Sequence, residues 1–129
     1  MKESVADELA NAERLLRMAR ALIDLQGYPD AVNRAYYAVF HLTTALLLIV
    51  GQEPRSHAGA KALLGSELVQ RGRISVRAAE IFAELERQRL AGDYRRFITV
   101  TREEAEQALA SAVEFESLAR AFLASQRFG

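Results

Sequence analysis

Arg34 and His41 are the two residues whose side chains could carry out a reaction together. A guanidinium can neutralise a phosphate and an imidazole can move a proton near neutral pH, so the pair could act on a phosphodiester. In a helix, their spacing places them on one face, separated by about 10 Å of rise. The same spacing fits a structural alternative, in which Arg34 pairs with a carboxylate and His41 is a core histidine bonded to a neighbouring helix. Spacing alone leaves both interpretations open.

The stretch that carries both residues runs from Asn33 to Val50 and is predicted to be a helix in the middle of a bundle. Its apolar side chains, which include the ring of Tyr36, cover most of the helical wheel. Its polar side chains share one sector about 100° wide and form a polar ridge. The ridge consists of Asn33, Arg34, Tyr37, His41 and Thr44. Because polar groups are costly on an apolar helix, we predict that the ridge lies at or near a homodimer interface.

A second candidate group lies at Arg55 and His57, beside Ser56. Serine is a good N-cap, so it predicts that a helix begins here. The free N–H groups of a helix start favour an anion, which suggests a binding role for the two basic residues. The alternative is that His57 is merely a solvent-exposed residue in the first turn. Of the two histidines, we expect His41 to matter more for activity than His57.

Composition limits the classes of function. Seventeen basic and seventeen acidic residues cancel, so any contact with nucleic acid must be local. The absence of cysteine excludes disulfides and thiolate metal sites, and two histidines argue against a dedicated metal centre. The first residues lack an apolar signal core, and the longest apolar run, Ala45–Val50, is far short of the roughly 20 residues of a membrane span. We therefore expect a soluble cytoplasmic protein without a metal or cofactor.

Apolar periodicity predicts five helices. Residues 2–26 carry apolar side chains at alternating steps of four and three, and Gly27 is expected to end this helix. The central helix is expected from about Asp30 to Gly51, and the third from the Ser56 cap to about Arg71. The first apolar stripe consists of Val5, Leu9, Ala12, Leu16, Ala19 and Ile23.

The second half of the chain continues the pattern. Ser75 is expected to cap a fourth helix that ends near Leu90, followed by a structured loop over Ala91–Val100. Thr101 and Glu104 form a capping-box pattern that opens the last helix. No linker or repeat interrupts residues 1–129, and no strand is predicted. The expected fold is a single all-α domain, an antiparallel four- or five-helix bundle.

Three segments together resemble the small stand-alone HEPN domains. They are NRAYYAVFHLTTALLL at 33–48, EPRSHAGAKALL at 53–64, and RLAGDY at 89–94, which is followed by an acidic helix. The tract from Arg34 to His41 is the most distinctive part, and the similarity covers nearly the whole chain. The resemblance implies the helical bundle already predicted. It also implies a homodimer that is often paired with an MNT-like nucleotidyltransferase in a toxin–antitoxin-like system.

Many members of this family are metal-independent endoribonucleases that use an Arg and a His with four to six residues between them. The two groups are brought together across the dimer. Carried over, this pattern makes Arg34 and His41 the catalytic pair, with six residues between them. Ala35 stands where active members usually have a polar residue, and Thr43 stands where toxins regulated by tyrosine modification carry Tyr. Further candidate contacts to RNA or a nucleotide are Tyr37, Arg55, His57, Arg89 and Tyr94.

Two functions from different classes follow. In the first, a ribose 2′-hydroxyl attacks the adjacent phosphorus while His41 takes its proton and Arg34 stabilises the phosphoryl charge, with no metal. One helix places the two groups too far apart to converge readily, so a two-fold interface is expected to bring in the second copy. In the second, the protein is a non-catalytic helical partner that binds a nucleotidyltransferase or a nucleotide.

Overall fold

The computed structural model describes residues 2–94 and 99–126, with side chains over 5–91 and 99–126. Within these ranges the chain forms five α-helices and no strand, which confirms the predicted all-α bundle. The helices are α1 (Lys2–Asp24), α2 (Tyr28–Ile49), α3 (His57–Leu63), α4 (Val76–Tyr94) and α5 (Arg102–Ser125). A π-helical segment, Leu64–Val69, continues α3.

The central helix of the bundle is α2. It packs against α1, α4 and α5 and also contacts α3. Tyr36, Leu42, Leu46 and Leu47 of this helix are fully buried. Transfer of such apolar surface out of water is the main favourable term in folding. The prediction that this helix forms the middle of the bundle is therefore correct, and every candidate side chain on it is positioned by a rigid, buried element.

The end of α1 differs from the prediction. The helix ends at Asp24, and Gln26 rather than Gly27 takes the left-handed conformation, with φ of 67°. The N–H of Gly27 donates to the Leu22 carbonyl at 2.7 Å, and such a bond closes a helix in a Schellman-type turn. Glycine was the expected residue at the turn because it adopts positive φ without steric cost, but here the tertiary fold imposes that conformation on glutamine.

Two other boundaries also differ. The start of α2 is Tyr28 rather than Asp30, because Pro29 fits the first turn of a helix, where its missing N–H would have no partner. The end of α4 is Tyr94 rather than Leu90, so the first part of the predicted loop over Ala91–Val100 is helical. Ala91 favours helix, and no proline interrupts this stretch. Residues 95–98 of that loop lie outside the described residues.

The predicted N-caps of α3 and α5 are confirmed. The Ser56 hydroxyl accepts the N–H of Gly59 at 2.8 Å and thereby caps α3. Thr101 and Glu104 form the reciprocal capping box that opens α5. These caps satisfy backbone donors that have no partner inside a helix. None of the described helices has the length and apolar character needed to span a membrane.

Candidate functional site

The polar ridge of α2 is half-buried, and its residues make different contacts. Arg34 donates from Nη1 to the Asn33 side-chain oxygen at 2.8 Å. The Thr44 hydroxyl donates to the Phe40 carbonyl of its own helix at 3.0 Å. Among the described residues, Arg34 has no carboxylate partner, so the ion pair considered for it is not found there. The guanidinium therefore keeps hydrogen-bonding capacity for a ligand.

His41 pairs with Glu8 of α1. Its Nδ1 is hydrogen-bonded to the Glu8 carboxylate, and both side chains are about one-quarter exposed, at 26% and 24%. A carboxylate accepts hydrogen bonds and does not donate them, so Nδ1 carries the proton of this bond. In the neutral imidazole, Nε2 then holds the lone pair. The Glu8–His41 pair is therefore arranged as an oriented general base would be.

Glu8 lies on the buried face of α1. It lies about one helical turn after Val5 and one turn before Ala12. Both of these residues are fully buried against the bundle. The apolar stripe of α1 thus contains one carboxylate, and that carboxylate bonds to His41. The sequence analysis did not identify Glu8, although a charged residue in register with a buried stripe is a recognisable signal.

His41 opens onto a surface pocket of about 330 Å³. The floor is formed by α2, and the rim comes from α1 and from the segment after α2. The lining residues are Glu8, Phe40, His41, Thr44, Leu48, Glu53 and Pro54. Two carboxylates line this pocket, and none of the described residues that line it is a Lys or Arg that would attract a phosphate.

Arg34 and His41 are not brought together within one chain. Arg34 bonds to Asn33, whereas His41 bonds to Glu8. Their separation of about 10 Å along α2 is larger than the reach of a direct hydrogen bond. A site containing both groups therefore needs either a substrate that spans the distance or a second copy of the chain.

His57 belongs to a separate aromatic cluster beside the ridge. Its Nδ1 lies 2.7 Å from the hydroxyl of Tyr36. Its ring stacks on Phe40, with the ring centres 4.2 Å apart and the planes 9° from parallel. Tyr37 meets it edge-on at 5.5 Å. His57 is thus not the freely exposed first-turn residue that was considered for it, because three aromatic rings of α2 hold it in place.

The electrostatics of this cluster keep both partners of the Tyr36–His57 bond neutral. Burial lowers the pKa of His57, and the nearby Arg89 cation lowers it further. Burial, and next the Glu86 carboxylate, raise the pKa of Tyr36 to about 12. At neutral pH the Tyr36 hydroxyl therefore keeps its proton. Because a phenol donates hydrogen bonds more readily than it accepts them, we assign it as the donor to Nδ1 of a neutral His57. That imidazole carries its own proton on Nε2, the opposite tautomer to the one assigned to His41.

Arg89 of α4 completes the aromatic cluster. Its guanidinium carbon lies 4.8 Å from the centre of the Tyr36 ring and 5.8 Å from that of Tyr37, which are cation–π distances. The structure thus brings together three of the predicted contact residues, Tyr37, His57 and Arg89. It also adds Tyr36, which the wheel had assigned only to the core.

The two remaining predicted contacts are Arg55 and Tyr94. Arg55 is exposed on the segment before α3. Tyr94 is the last residue of α4, and its side chain lies outside the described residues. No group of three or more potential metal ligands occurs in the part of the chain whose side chains are described.

Comparisons with known proteins agree with this architecture. The model of the HEPN domain family matches residues 5–121. A UPF0332 protein of Gloeobacter violaceus is 32% identical over 92% of this chain and 94% of its own length. Two proteins of Methanocaldococcus jannaschii carry the name "Putative toxin". One is 35% identical over 73% of this chain and 70% of its own length, and the other is 28% identical over 97% and 85%.

Proposed function

Because the chain belongs to the HEPN domain family, we propose that it is a toxin-like endoribonuclease that cleaves RNA without a metal and acts as a homodimer. The toxin part of the proposal is supported by the names of the two Methanocaldococcus relatives. The chemical part depends on one observation. His41 lies in an open pocket with its Nδ1 bonded to Glu8, which leaves Nε2 to act on a substrate.

The proposed reaction is a transesterification followed by release. Nε2 of His41 accepts the proton of a ribose 2′-hydroxyl as that oxygen attacks the adjacent phosphorus. The bond from phosphorus to the 5′-oxygen breaks, a 2′,3′-cyclic phosphate forms, and the imidazolium returns its proton to the leaving 5′-oxygen. The Arg34 guanidinium stabilises the charge that develops on the phosphoryl oxygens.

The pocket chemistry is the reason for proposing a homodimer. Glu8 and Glu53 line the His41 pocket, and the described residues of one chain add no Lys or Arg to it. A phosphate approaching two carboxylates is repelled unless a cation accompanies it. Arg34 has no carboxylate partner among the described residues and lies on the same ridge. A two-fold axis perpendicular to α2 that crosses the ridge between the two residues would place Arg34 of one copy beside His41 of the other.

The aromatic cluster serves the proposal as a contact surface for the RNA strand. Arg89 supplies a cation beside Tyr37, and His57 supplies a neutral ring whose Nε2–H can donate to a phosphate or base. The further proposed contacts are Arg55, on the segment before α3, and Tyr94, at the end of α4. Tyr37, His57 and Arg89 lie on α2, α3 and α4, so the cluster extends from the ridge of α2 onto two neighbouring helices.

A second candidate function is favoured by the separation of Arg34 from His41 within the chain. If no second copy closes that gap, the protein is a non-catalytic partner that binds a nucleotidyltransferase or a nucleotide. In that case Arg89 and the tyrosine rings provide the nucleotide contact. Retention of a nucleotide by wild-type protein but not by Arg89→Met, together with inert RNA, would favour this function.

The test of the proposed function is cleavage of RNA by the purified full chain in the presence of EDTA. We expect the wild type to cut single-stranded RNA at the same rate with and without the chelator and to leave cyclic phosphate ends. His41→Asn provides the control for a contaminating nuclease, because it keeps a polar side chain but has no base of suitable strength. RNA left intact by the wild type, or cut equally by His41→Asn, would refute the endoribonuclease.

A further inference from the structure

We propose that Glu8 is the positioning residue of the site: by accepting a hydrogen bond from Nδ1 of His41, it fixes the tautomer in which Nε2 can accept a proton from the substrate. This inference rests on the proposed function, but its structural content can be measured without RNA. It assigns a role to α1, the helix to which the resemblance assigned no functional residue.

The placement of Glu8 in the α1 stripe indicates that the carboxylate has a specific role. Val5 and Ala12, one helical step to either side, are fully buried, and Leu15 and Ala19 continue the same stripe. A carboxylate moved toward the interior loses hydration and is destabilising unless it gains a hydrogen-bonded partner. An alanine would fit this position at no such cost, as Ala12 and Ala19 demonstrate. His41 is the partner that the structure gives to Glu8.

The tautomer is the functional consequence of this contact. An unconstrained imidazole in water favours the form with its proton on Nε2, and that form presents the lone pair on Nδ1. In His41, Nδ1 is the nitrogen bonded to Glu8 of α1, so this nitrogen is already engaged and Nε2 is the one left for a substrate. A carboxylate acceptor at Nδ1 reverses the preference and transfers the lone pair to Nε2. Glu8 therefore acts through His41 and need not touch the substrate.

The pocket supplies a matched control. Glu53 lines the same pocket from the segment after α2, so it presents a second carboxylate to whatever enters the pocket. It makes no hydrogen bond to His41 among the described contacts. A general effect of negative charge in the pocket would be shared by Glu8 and Glu53. An effect on the tautomer would belong to Glu8 alone.

The tautomer of His41 can be measured by NMR, and His57 supplies an internal reference in the same spectra. With the Tyr36 hydroxyl assigned as the donor to its Nδ1, its own proton lies on Nε2. Nitrogen NMR of the imidazole rings distinguishes the two tautomers. Spectra of the full chain should be recorded at about pH 8.5, where an ordinary histidine is neutral. We expect His41 with its proton on Nδ1 and His57 with its proton on Nε2.

The variants then test the role of Glu8. In Glu8→Ala, His41 should change to the Nε2–H tautomer while His57 keeps its own, and cleavage should fall about 100-fold, as for loss of an oriented general base. Glu8→Gln retains an oxygen that can accept from Nδ1, so it should keep the wild-type tautomer and recover most of that loss. Glu53→Ala should leave the tautomer unchanged and should not lower the rate, because it removes only an exposed charge that repels the phosphate.

Two results would overturn the proposal: an Nδ1–H tautomer of His41 that persists in Glu8→Ala, or equal cleavage by Glu8→Ala and Glu53→Ala. If the wild type cleaves no RNA, the proposed function fails, and the NMR comparison still decides whether Glu8 sets the tautomer of His41. Melting temperatures of all variants should accompany the rates, because a purely structural Glu8–His41 pair would lower stability without altering cleavage of the folded protein.

Discussion

The hydroxyl oxygen of Tyr36 lies 2.7 Å from Nδ1 of His57, and this bond joins the buried central helix to the first residue of α3. His57 is stacked on Phe40, and Phe40 also meets His41 at 5.8 Å with the two rings inclined by 69°. The two histidines of the chain are thus held around one phenylalanine, each bonded through Nδ1. One bonds to a hydroxyl donor and the other to a carboxylate acceptor, so the two imidazoles present opposite tautomers.

Stability should depend on pH through His57. Burial, followed by Arg89 and the weaker influence of His41, holds the pKa of His57 below its ordinary value, against the opposing effect of Glu86. As the pH falls through about 6.5, the unfolded chain binds a proton at this residue before the folded chain does. The free energy of unfolding should therefore decrease, and it should continue to decrease until the pH reaches the folded-state pKa.

Urea unfolding of the wild type and of His57→Gln between about pH 5 and pH 8 isolates this effect, because other titrating groups are common to both proteins. The wild type should lose stability relative to the variant as the pH falls. A difference that stays constant over this range would show that His57 does not titrate differently in the folded and unfolded chains.

The Arg89 cation should control the pKa of His57. Its guanidinium lies over the tyrosine rings that surround this imidazole, and it disfavours the imidazolium. Arg89→Met keeps a long apolar side chain and removes the charge, so the pKa of His57 should rise toward its ordinary value, with burial still opposing the change.

Proton NMR titration of His57 provides the measurement, and Arg87→Met provides the control. Arg87 lies on the same helix but is 69% exposed and paired with Glu84. Removing this solvated cation should leave the His57 titration nearly unchanged, because water and salt screen its charge. Equal shifts in both variants would mean that Arg89 has no special relation to the imidazole.

Arg34 should matter for cleavage far more than for folding. Its hydrogen bond is to Asn33, and no described carboxylate would be left unpaired by its loss. Arg34→Lys keeps the charge but lacks the planar fork that binds two phosphate oxygens, so cleavage should fall at least about tenfold. The free energy of unfolding should change by less than about 1 kcal/mol. Loss of one partner of a buried salt bridge would instead cost about 3–5 kcal/mol.

Cleavage and melting should be measured on the same samples of wild type, Arg34→Lys and Arg34→Ala. Asn33→Ala is the matched control, since it removes the side chain that Arg34 contacts and leaves the guanidinium. Full cleavage by Arg34→Ala, or a large loss of stability without a change in rate, would place Arg34 outside the reaction.

The central helix and the polar ridge could be predicted from sequence because both depend on the period of a single helix. A helix formed by residues 33–50 is apolar around most of its surface and must therefore be buried. The helical wheel also places Arg34 and His41 on the same side of it. The N-caps of α3 and α5 could also be predicted, because a cap is a local bond between residues three positions apart, as in Thr101 and Glu104.

The contacts between helices could not be predicted in the same way. Glu8 is 33 positions from His41, and Tyr36 is 21 positions from His57. The two residues of each pair lie on different helices, and a helical wheel relates only residues of the same helix. Tyr36 was assigned to the core from its position, and this assignment is correct for its ring. The position of its hydroxyl depends on how α3 packs on α2, which is a property of the folded bundle.

Complementation between two inactive variants tests most directly the claim that RNA is cut at a site shared by two copies. Arg34→Ala and His41→Ala should each be inactive alone. After mixing under conditions that exchange subunits, about half of the dimers should be mixed, each with one intact Arg34–His41 site, so about a quarter of the wild-type activity should return. An inactive mixture that demonstrably contains mixed dimers would contradict the shared site, as would a wild type that remains a monomer while cleaving RNA.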